Sequence, residues 1–330
     1  MAESMKIGVI GAGAWGTALA QVAAADGEEV LLWAREPEVV ESVNTGHENA
    51  VFLKGVSLAP TIRATGALED LAACDAFLVV TPAQHLRAVL GGFDFGGRPL
   101  VLCAKGIEDG TGLLMHDVAH QVQPGAPIAV LSGPTFAHEV AAGLPTAVTL
   151  AVADQALGEQ VVARIARPSF RPYLSDDLAG AEVGGAVKNV LAIACGVVEG
   201  RRLGLNARAA LISRGFAEMT RFGLAKGARP ETLAGLAGLG DLVLTCSSTS
   251  SRNFSLGKGI GEGARPADLL ADRRTVAEGA FTAPVLKRAA EAAGVDMPIV
   301  AAVCALLVGE ASVDDVVARL LSRPLKMEGE

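Results

Sequence analysis

The sequence predicts an α/β chain in two parts, a doubly wound parallel sheet wrapped by helices over residues 1–178 and an all-helical domain over 179–330. Three observations carry that expectation. Apolar runs of strand length recur at Lys6 to Ile10, Glu29 to Trp33, Ala76 to Val80, Leu100 to Cys103, Ile128 to Leu131 and Ala147 to Val152, with helix-like segments between them. Strands that alternate with helices build parallel sheets. After Leu174 the pattern changes to Ala- and Leu-rich helical segments broken by Gly and Pro, with Asp176 or Asp177 placed to cap the first of them. A glycine turn joining the first strand to the first helix is the third observation, and it is the most specific.

That turn lies in Lys6-Ile7-Gly8-Val9-Ile10-Gly11-Ala12-Gly13-Ala14-Trp15-Gly16-Thr17-Ala18-Leu19-Ala20. It is the Rossmann-type pattern for holding a dinucleotide pyrophosphate. Gly11 permits the tight turn, Gly13 lets backbone approach the phosphates, and Gly16 lets the helix pack closely on the strand. The helix N-terminus then offers N–H groups to the anion. Gly27 closes this helix and Pro82 opens the one after the Val80 strand, as a βαβ unit requires. Past the second strand comes Arg35, then Glu36, where an acid meets a ribose 2′-hydroxyl and an arginine accommodates a 2′-phosphate. Both NADP and NAD stay open as cofactors, and so does a plain charge pair at a helix start.

Composition excludes several classes of function. A chain of 330 residues with 51% hydrophobic content is long enough for two cored domains and too apolar for disorder. Apolar stretches such as Val190 to Val198 fall short of the roughly 18 to 20 residues that span a bilayer, so no membrane span and no targeting segment is expected. The five cysteines, Cys74, Cys103, Cys195, Cys246 and Cys304, are widely spaced, which reads as reduced thiols in a cytoplasm. A net charge of −8 with no basic run argues against nucleic acid. Such a chain can still bind an anion where Lys and Arg converge locally.

Those basic groups stand at informative places. Lys105 directly follows the Leu100 to Cys103 strand, and ligands of open parallel sheets bind beyond the carboxyl ends of strands. The next strand ends in Ser132-Gly133-Pro134-Thr135-Phe136-Ala137, where glycine and a helix start can present backbone donors. Lys188-Asn189 interrupts an apolar helix. A lysine buried there costs free energy unless paired, and desolvation moves it toward proton-transfer chemistry, unless its stem simply reaches solvent. The stretch Gly238 to Asn253 combines Asp241 with a hydroxyl-rich loop and the Arg252-Asn253 pair, an arrangement suited to phosphate or to an ordinary solvated loop. His116 and His120 have the spacing of a metal pair but no third ligand nearby, so no metal is expected.

Taken together the chain resembles the bacterial NAD(P)-dependent glycerol-3-phosphate dehydrogenases over nearly its whole length. The resemblance rests on Gly11 to Ala20, on Ala104-Lys105-Gly106-Ile107-Glu108, Ser132 to Ala137, Val187-Lys188-Asn189-Val190, Asn206 to Ile212, and Gly238 to Asn253. It implies interconversion of sn-glycerol 3-phosphate and dihydroxyacetone phosphate, supplying the phospholipid backbone. By the same resemblance Lys188 is the general acid/base. Lys105, Gly133, Thr135, Asp241, Ser251, Arg252 and Asn253 are then substrate contacts, with Arg252 and Asn253 on the phosphate. Gly11, Gly13, Trp15, Gly16, Arg35, Lys105, Ala137, Arg252, Val276 and Glu278 are the corresponding cofactor contacts. Position 14 is Ala where the family often carries Ser, which leaves the pyrophosphate to backbone donors. Two rivals remain at this stage: a reductase of non-phosphorylated keto acids using the same lysine, and a nicotinamide-binding sensor without turnover. The helical half could also present an apolar face to a second copy, making a homodimer.

Overall fold

The computed structural model describes residues 5–271 and 277–322. Its strands are β1 (Ile7–Ile10), β2 (Val30–Trp33), β3 (Ile62–Thr65), β4 (Ala76–Val79), β5 (Leu100–Leu102), β6 (Ile128–Ser132), β7 (Thr146–Val152) and β8 (Phe170–Ser175). They form one sheet in the order β3-β2-β1-β4-β5-β6-β7-β8. The first six run parallel and follow the doubly wound order, with the direction of winding reversing between β1 and β4. The central strands are apolar without alternation because helices cover both faces of the sheet: every residue of β1, β4 and β5 is buried.

The expected parallel sheet is corrected at β7, which pairs antiparallel to β6. The reason is the connection. It contains only the five-residue helix Ala137–Ala141, about 7 Å long, which cannot return the chain along a strand of about 17 Å. Two strands lie outside the apolar runs. β3 reads Ile-Arg-Ala-Thr with Arg63 exposed, and β8 carries Pro172 with Arg171, Tyr173 and Leu174 exposed. Both are edge strands, where one face needs no apolar side chain and proline is tolerated.

The chain divides into two units, Met1–Lys105 with Leu113–Ala181, and Gly106–Gly112 with Glu182–Glu330. The first unit holds the sheet and the helices α1 (Ala14–Ala23), α2 (Pro37–Gly46), α3 (Leu86–Gly91), α4 (Met115–Val122), α5 (Ala137–Ala141) and α6 (Gln155–Ile165). Asp154 caps α6 by accepting from the Ala156 and Leu157 N–H groups. The second unit also takes in the segment Gly106–Gly112: Lys226 donates to the Gly112 carbonyl at 3.2 Å, and Arg288 pairs with Asp109.

From α7 (Leu178–Gly200) onward the chain is helical: α8 (Leu205–Ala225), α9 (Pro230–Leu233), α10 (Asp241–Cys246), α11 (Arg252–Gly261), α12 (Pro266–Leu269), α13 (Glu278–Ala292), α14 (Pro298–Leu307) and α15 (Val313–Leu321). Asp177 caps α7 through the Gly180 N–H at 2.8 Å. Contrary to the estimate from short apolar runs, α7 is long and apolar enough to cross a bilayer, but 94% of its apolar window is buried inside the protein. It is the core helix of its unit. Helix α11 crosses it at backbone contact: a Cβ on Gly196 would lie 2.0 Å from the Phe254 carbonyl oxygen, and one on Gly257 would lie 1.9 Å from that of Ile193. The sequence reading treats these glycines as helix breaks; they are the seats of a close helix crossing.

Candidate active site

The first unit builds a cradle for an anion at the start of α1. Gly11 has φ +111°, and a Cβ there would lie 3.0 Å from the Val80 carbonyl oxygen. On Gly16 a Cβ would lie 1.8 Å from the Gly11 carbonyl oxygen, so only glycine lets α1 sit this close to β1. In the direction of the Gly13 side-chain position no heavy atom lies within 4 Å. Gly13 is the N-cap of α1 and supplies no side-chain cap. Open space beside uncapped helix N–H groups fits the pyrophosphate of a dinucleotide. Trp15 follows within the first turn, its indole Nε1 buried. Arg35, just past β2, pairs with Glu36 at 3.1 Å and is mostly exposed; Glu36 is also the N-cap of α2.

Two strand ends in the same unit carry the next group. Lys105, three residues past β5, directs its ammonium to the Gly133 carbonyl at 3.5 Å, and the Thr135 hydroxyl donates to that same oxygen at 3.3 Å. Gly133 follows β6, the neighbour of β5 in the sheet, and a Cβ there would lie 2.9 Å from Val148 Cα. Ala137 begins α5.

The second unit holds the charged centre. Lys188, buried in the middle of α7, donates to Asp241 Oδ1 at 2.5 Å and to the Thr245 hydroxyl at 3.1 Å, and Thr245 in turn donates to Asp241 Oδ1 at 3.3 Å. Asp241 has no exposure at all. Packing explains how residues far apart in sequence meet. A π turn over Leu236–Gly240 precedes α10, and the Ala237 carbonyl oxygen would lie 2.0 Å from a Cβ on Gly184. Glycine at 184 therefore lets the turn rest on α7, which brings the first residue of α10 to the lysine one helical turn on. Turns of this kind recur at functional sites.

A second network lies beside it. Asn253 Nδ2 donates to Asn189 Oδ1 at 3.0 Å, and Asn253 Oδ1 accepts the Gly279 N–H at 2.8 Å. The side chain expected on a phosphate thus ties α7, α11 and α13 together. Ser251 caps α11, its hydroxyl accepting the Phe254 N–H at 3.2 Å, while Arg252 is exposed in the first turn. Glu278 begins α13; Val276 lies outside the described residues. Asn189 and Thr245 are partners to which the sequence assigns no role, although both lie in stretches it singles out. Asn189 could have been found from its position beside Lys188, but nothing in the local sequence marks Thr245 within its stretch.

Two buried thiols lie close in sequence to these groups. Burial pushes the Cys103 thiol up to about 12. A hydrogen bond with Cys195, together with burial, raises that of Cys246, next to Thr245. Neither forms a nucleophilic thiolate at neutral pH. Among the described residues no group of three His, Cys, Asp or Glu side chains could hold a metal, and His116 and His120 stand as a ring pair on α4 with centroids 6.4 Å apart.

A dinucleotide cradle on a doubly wound sheet, and a buried lysine–carboxylate pair in a helical unit, define a nicotinamide-dependent dehydrogenase. Comparison with known proteins narrows the class. The family models for the N-terminus and C-terminus of NAD-dependent glycerol-3-phosphate dehydrogenase match residues 6–158 and 177–318, and the chain belongs to that family. It is 67% identical over 329 residues to glycerol-3-phosphate dehydrogenase [NAD(P)+] of Novosphingobium aromaticivorans, covering 98% of each chain. It is 61% identical over 330 residues to one from Sphingopyxis alaskensis, covering 100% of each. The crystal structure of glycerol-3-phosphate dehydrogenase from Coxiella burnetii superposes with a TM-score of 0.93 at 37% identity, covering 97% of this chain and 99% of that one.

Proposed function

We propose that the chain interconverts sn-glycerol 3-phosphate and dihydroxyacetone phosphate with NADP or NAD. The Lys188–Asp241–Thr245 cluster is the observation that carries this reading. The cofactor, when bound, supplies or accepts the hydride at C2. Reduction of a ketone puts negative charge on its oxygen, and an ammonium with its geometry already fixed stabilises that charge without reorganisation. Lys188 Nζ gives its proton to the ketone oxygen in reduction and takes it back in oxidation. Asp241 holds the ammonium in place, and once the proton has left, the buried carboxylate favours return of a proton to Nζ. Thr245 fixes the carboxylate by its hydroxyl hydrogen bond. Lys105 adds a second positive charge for the developing alkoxide. Arg252, exposed at the first turn of α11, offers a planar fork to the substrate phosphate, with Asn253 beside it as a second phosphate contact and Ser251 as a further substrate contact. Gly133 and Thr135 complete the substrate contacts; Gly11, Gly13, Trp15, Gly16, Arg35, Ala137, Val276 and Glu278 complete those to the cofactor.

Glycerol 3-phosphate formed in this way would supply phospholipid synthesis. The cytoplasm is the compartment that suits five cysteines carried as free thiols. Initial rates with dihydroxyacetone phosphate and each reduced cofactor, followed by loss of absorbance, test substrate, turnover and cofactor choice together. Consumption that depends on dihydroxyacetone phosphate is expected. Turnover of a non-phosphorylated keto acid alone, or cofactor binding without turnover, would replace this reading with one of its rivals.

A further inference from the structure

The Gly11–Gly13 turn is held from behind by a residue that belongs to neither α1 nor the sheet. Asn49 lies in the segment between α2 and β3 and has no exposure. Its Nδ2 donates to the Ala12 carbonyl at 2.8 Å and to the Thr17 hydroxyl at 2.8 Å, while its Oδ1 accepts the Phe52 N–H at 2.9 Å. Thr17, also fully buried, donates its hydroxyl proton to the same Ala12 carbonyl at 3.2 Å. One backbone oxygen of the turn therefore receives two side-chain donors from inside the protein.

Peptide planarity turns this into a statement about the anion site. In a trans peptide the C=O and the following N–H point in opposite directions. Fixing the Ala12 oxygen toward the interior aims the Gly13 N–H the opposite way, at a residue where an added Cβ would meet no heavy atom within 4 Å. A flipped peptide would present a carbonyl oxygen to a phosphate, replacing attraction by repulsion. A flip of this peptide turns ψ of Ala12 and φ of Gly13, and glycine at 13 gives that φ little steric resistance, so the orientation needs an external lock.

We propose that Asn49, assisted by Thr17, is a positioning residue for the cofactor pyrophosphate: it locks the Ala12–Gly13 peptide in the donor-outward orientation. The inference rests on the glycine turn being the cofactor site, and titration of the wild-type protein checks that reading separately. The test is direct binding without turnover, following quenching of tryptophan fluorescence with NADPH and, in parallel, ADP-ribose, which keeps the pyrophosphate and lacks the nicotinamide. In Asn49→Ala both dissociation constants rise by about tenfold, the scale of one hydrogen bond to a charged group, and in turnover the loss falls on the cofactor KM more than on kcat. Thr17→Val removes one of the two donors and keeps the shape, so it raises both constants by a smaller factor. Binding within about twofold of wild type in folded Asn49→Ala overturns the proposal, as does a loss confined to kcat or to NADPH alone. If Asn49→Ala does not fold, Thr17→Val decides: unchanged affinity for both ligands overturns the lock.

Discussion

Lys188 occupies a position that costs free energy unless its charge is met, and Asp241 meets it at hydrogen-bond distance with no water-exposed surface of its own. Removing either partner therefore has two separable effects. Lys188→Ala takes away the proton donor, and kcat falls by a factor of about 10² or more while cofactor affinity holds; an unchanged kcat would refute the assignment. Asp241→Ala leaves a buried ammonium without its counter-charge, so denaturant unfolding loses about 3–5 kcal/mol in addition to the loss of turnover. The sequence shows Lys188 as an anomaly because a charge inside the run Val187 to Val198 stands out. It hides the pairing, which is created by the approach of Ala237 to Gly184 and not by any local pattern. Asn253 shows a further role of the same kind. Its residue type suits a phosphate, and its amide also binds Asn189 and Gly279, contacts that only the folded chain brings together.

Secondary elements were legible where burial on both faces makes a strand continuously apolar, as in β1, β4 and β6, and illegible at the sheet edges, where β3 and β8 carry exposed arginines. The reversed strand β7 escaped because apolar content says nothing about direction. Helix crossing was equally hidden, and it makes a prediction: Gly257→Ala forces a Cβ against the Ile193 carbonyl and costs about 1–3 kcal/mol by overpacking, measurable as a fall in the denaturation midpoint. A second element-level device joins α8 to α14. Glu218 is buried and accepts the N–H groups of Ile299 and Val300, at 2.7 and 3.3 Å, in the first turn of α14. Burial raises its pKa from 4.5 to about 7; Asp296 adds to the rise, while the two N–H groups and Arg221 oppose it. The folded state then binds more protons than the unfolded one between those values. Its contribution to stability is complete below pH 4.5 and is lost as pH rises through 7, about 3 kcal/mol in all. Comparing unfolding free energies at pH 5 and pH 8, Glu218→Gln should flatten this part of the profile, because Gln keeps an acceptor for Ile299 and does not titrate. A profile with the wild-type slope would show that Glu218 is not its source.

At the scale of the whole molecule, length and composition leave room for two cored parts but do not mark the segment Gly106–Gly112, which leaves the first unit and joins the second. Nothing in hydrophobic periodicity marks a short excursion of this kind, since it is stitched by long-range contacts such as Lys226 to Gly112. The same division supplies a selective probe. The chain has two tryptophans, Trp15 and Trp33, and both belong to the first unit. Tryptophan fluorescence therefore reports unfolding of the sheet, whereas far-ultraviolet circular dichroism reports helices from both units. A ligand that binds only the folded state at 100 times its dissociation constant adds about 2.7 kcal/mol to stability. If the glycine turn is the cofactor site, NADPH at that concentration should raise the fluorescence-detected unfolding free energy by that amount, and Asn49→Ala should show the increment only at correspondingly higher NADPH. A fluorescence transition that ignores saturating cofactor would mean that the dinucleotide does not bind where Gly11, Gly13 and Gly16 have shaped a place for it.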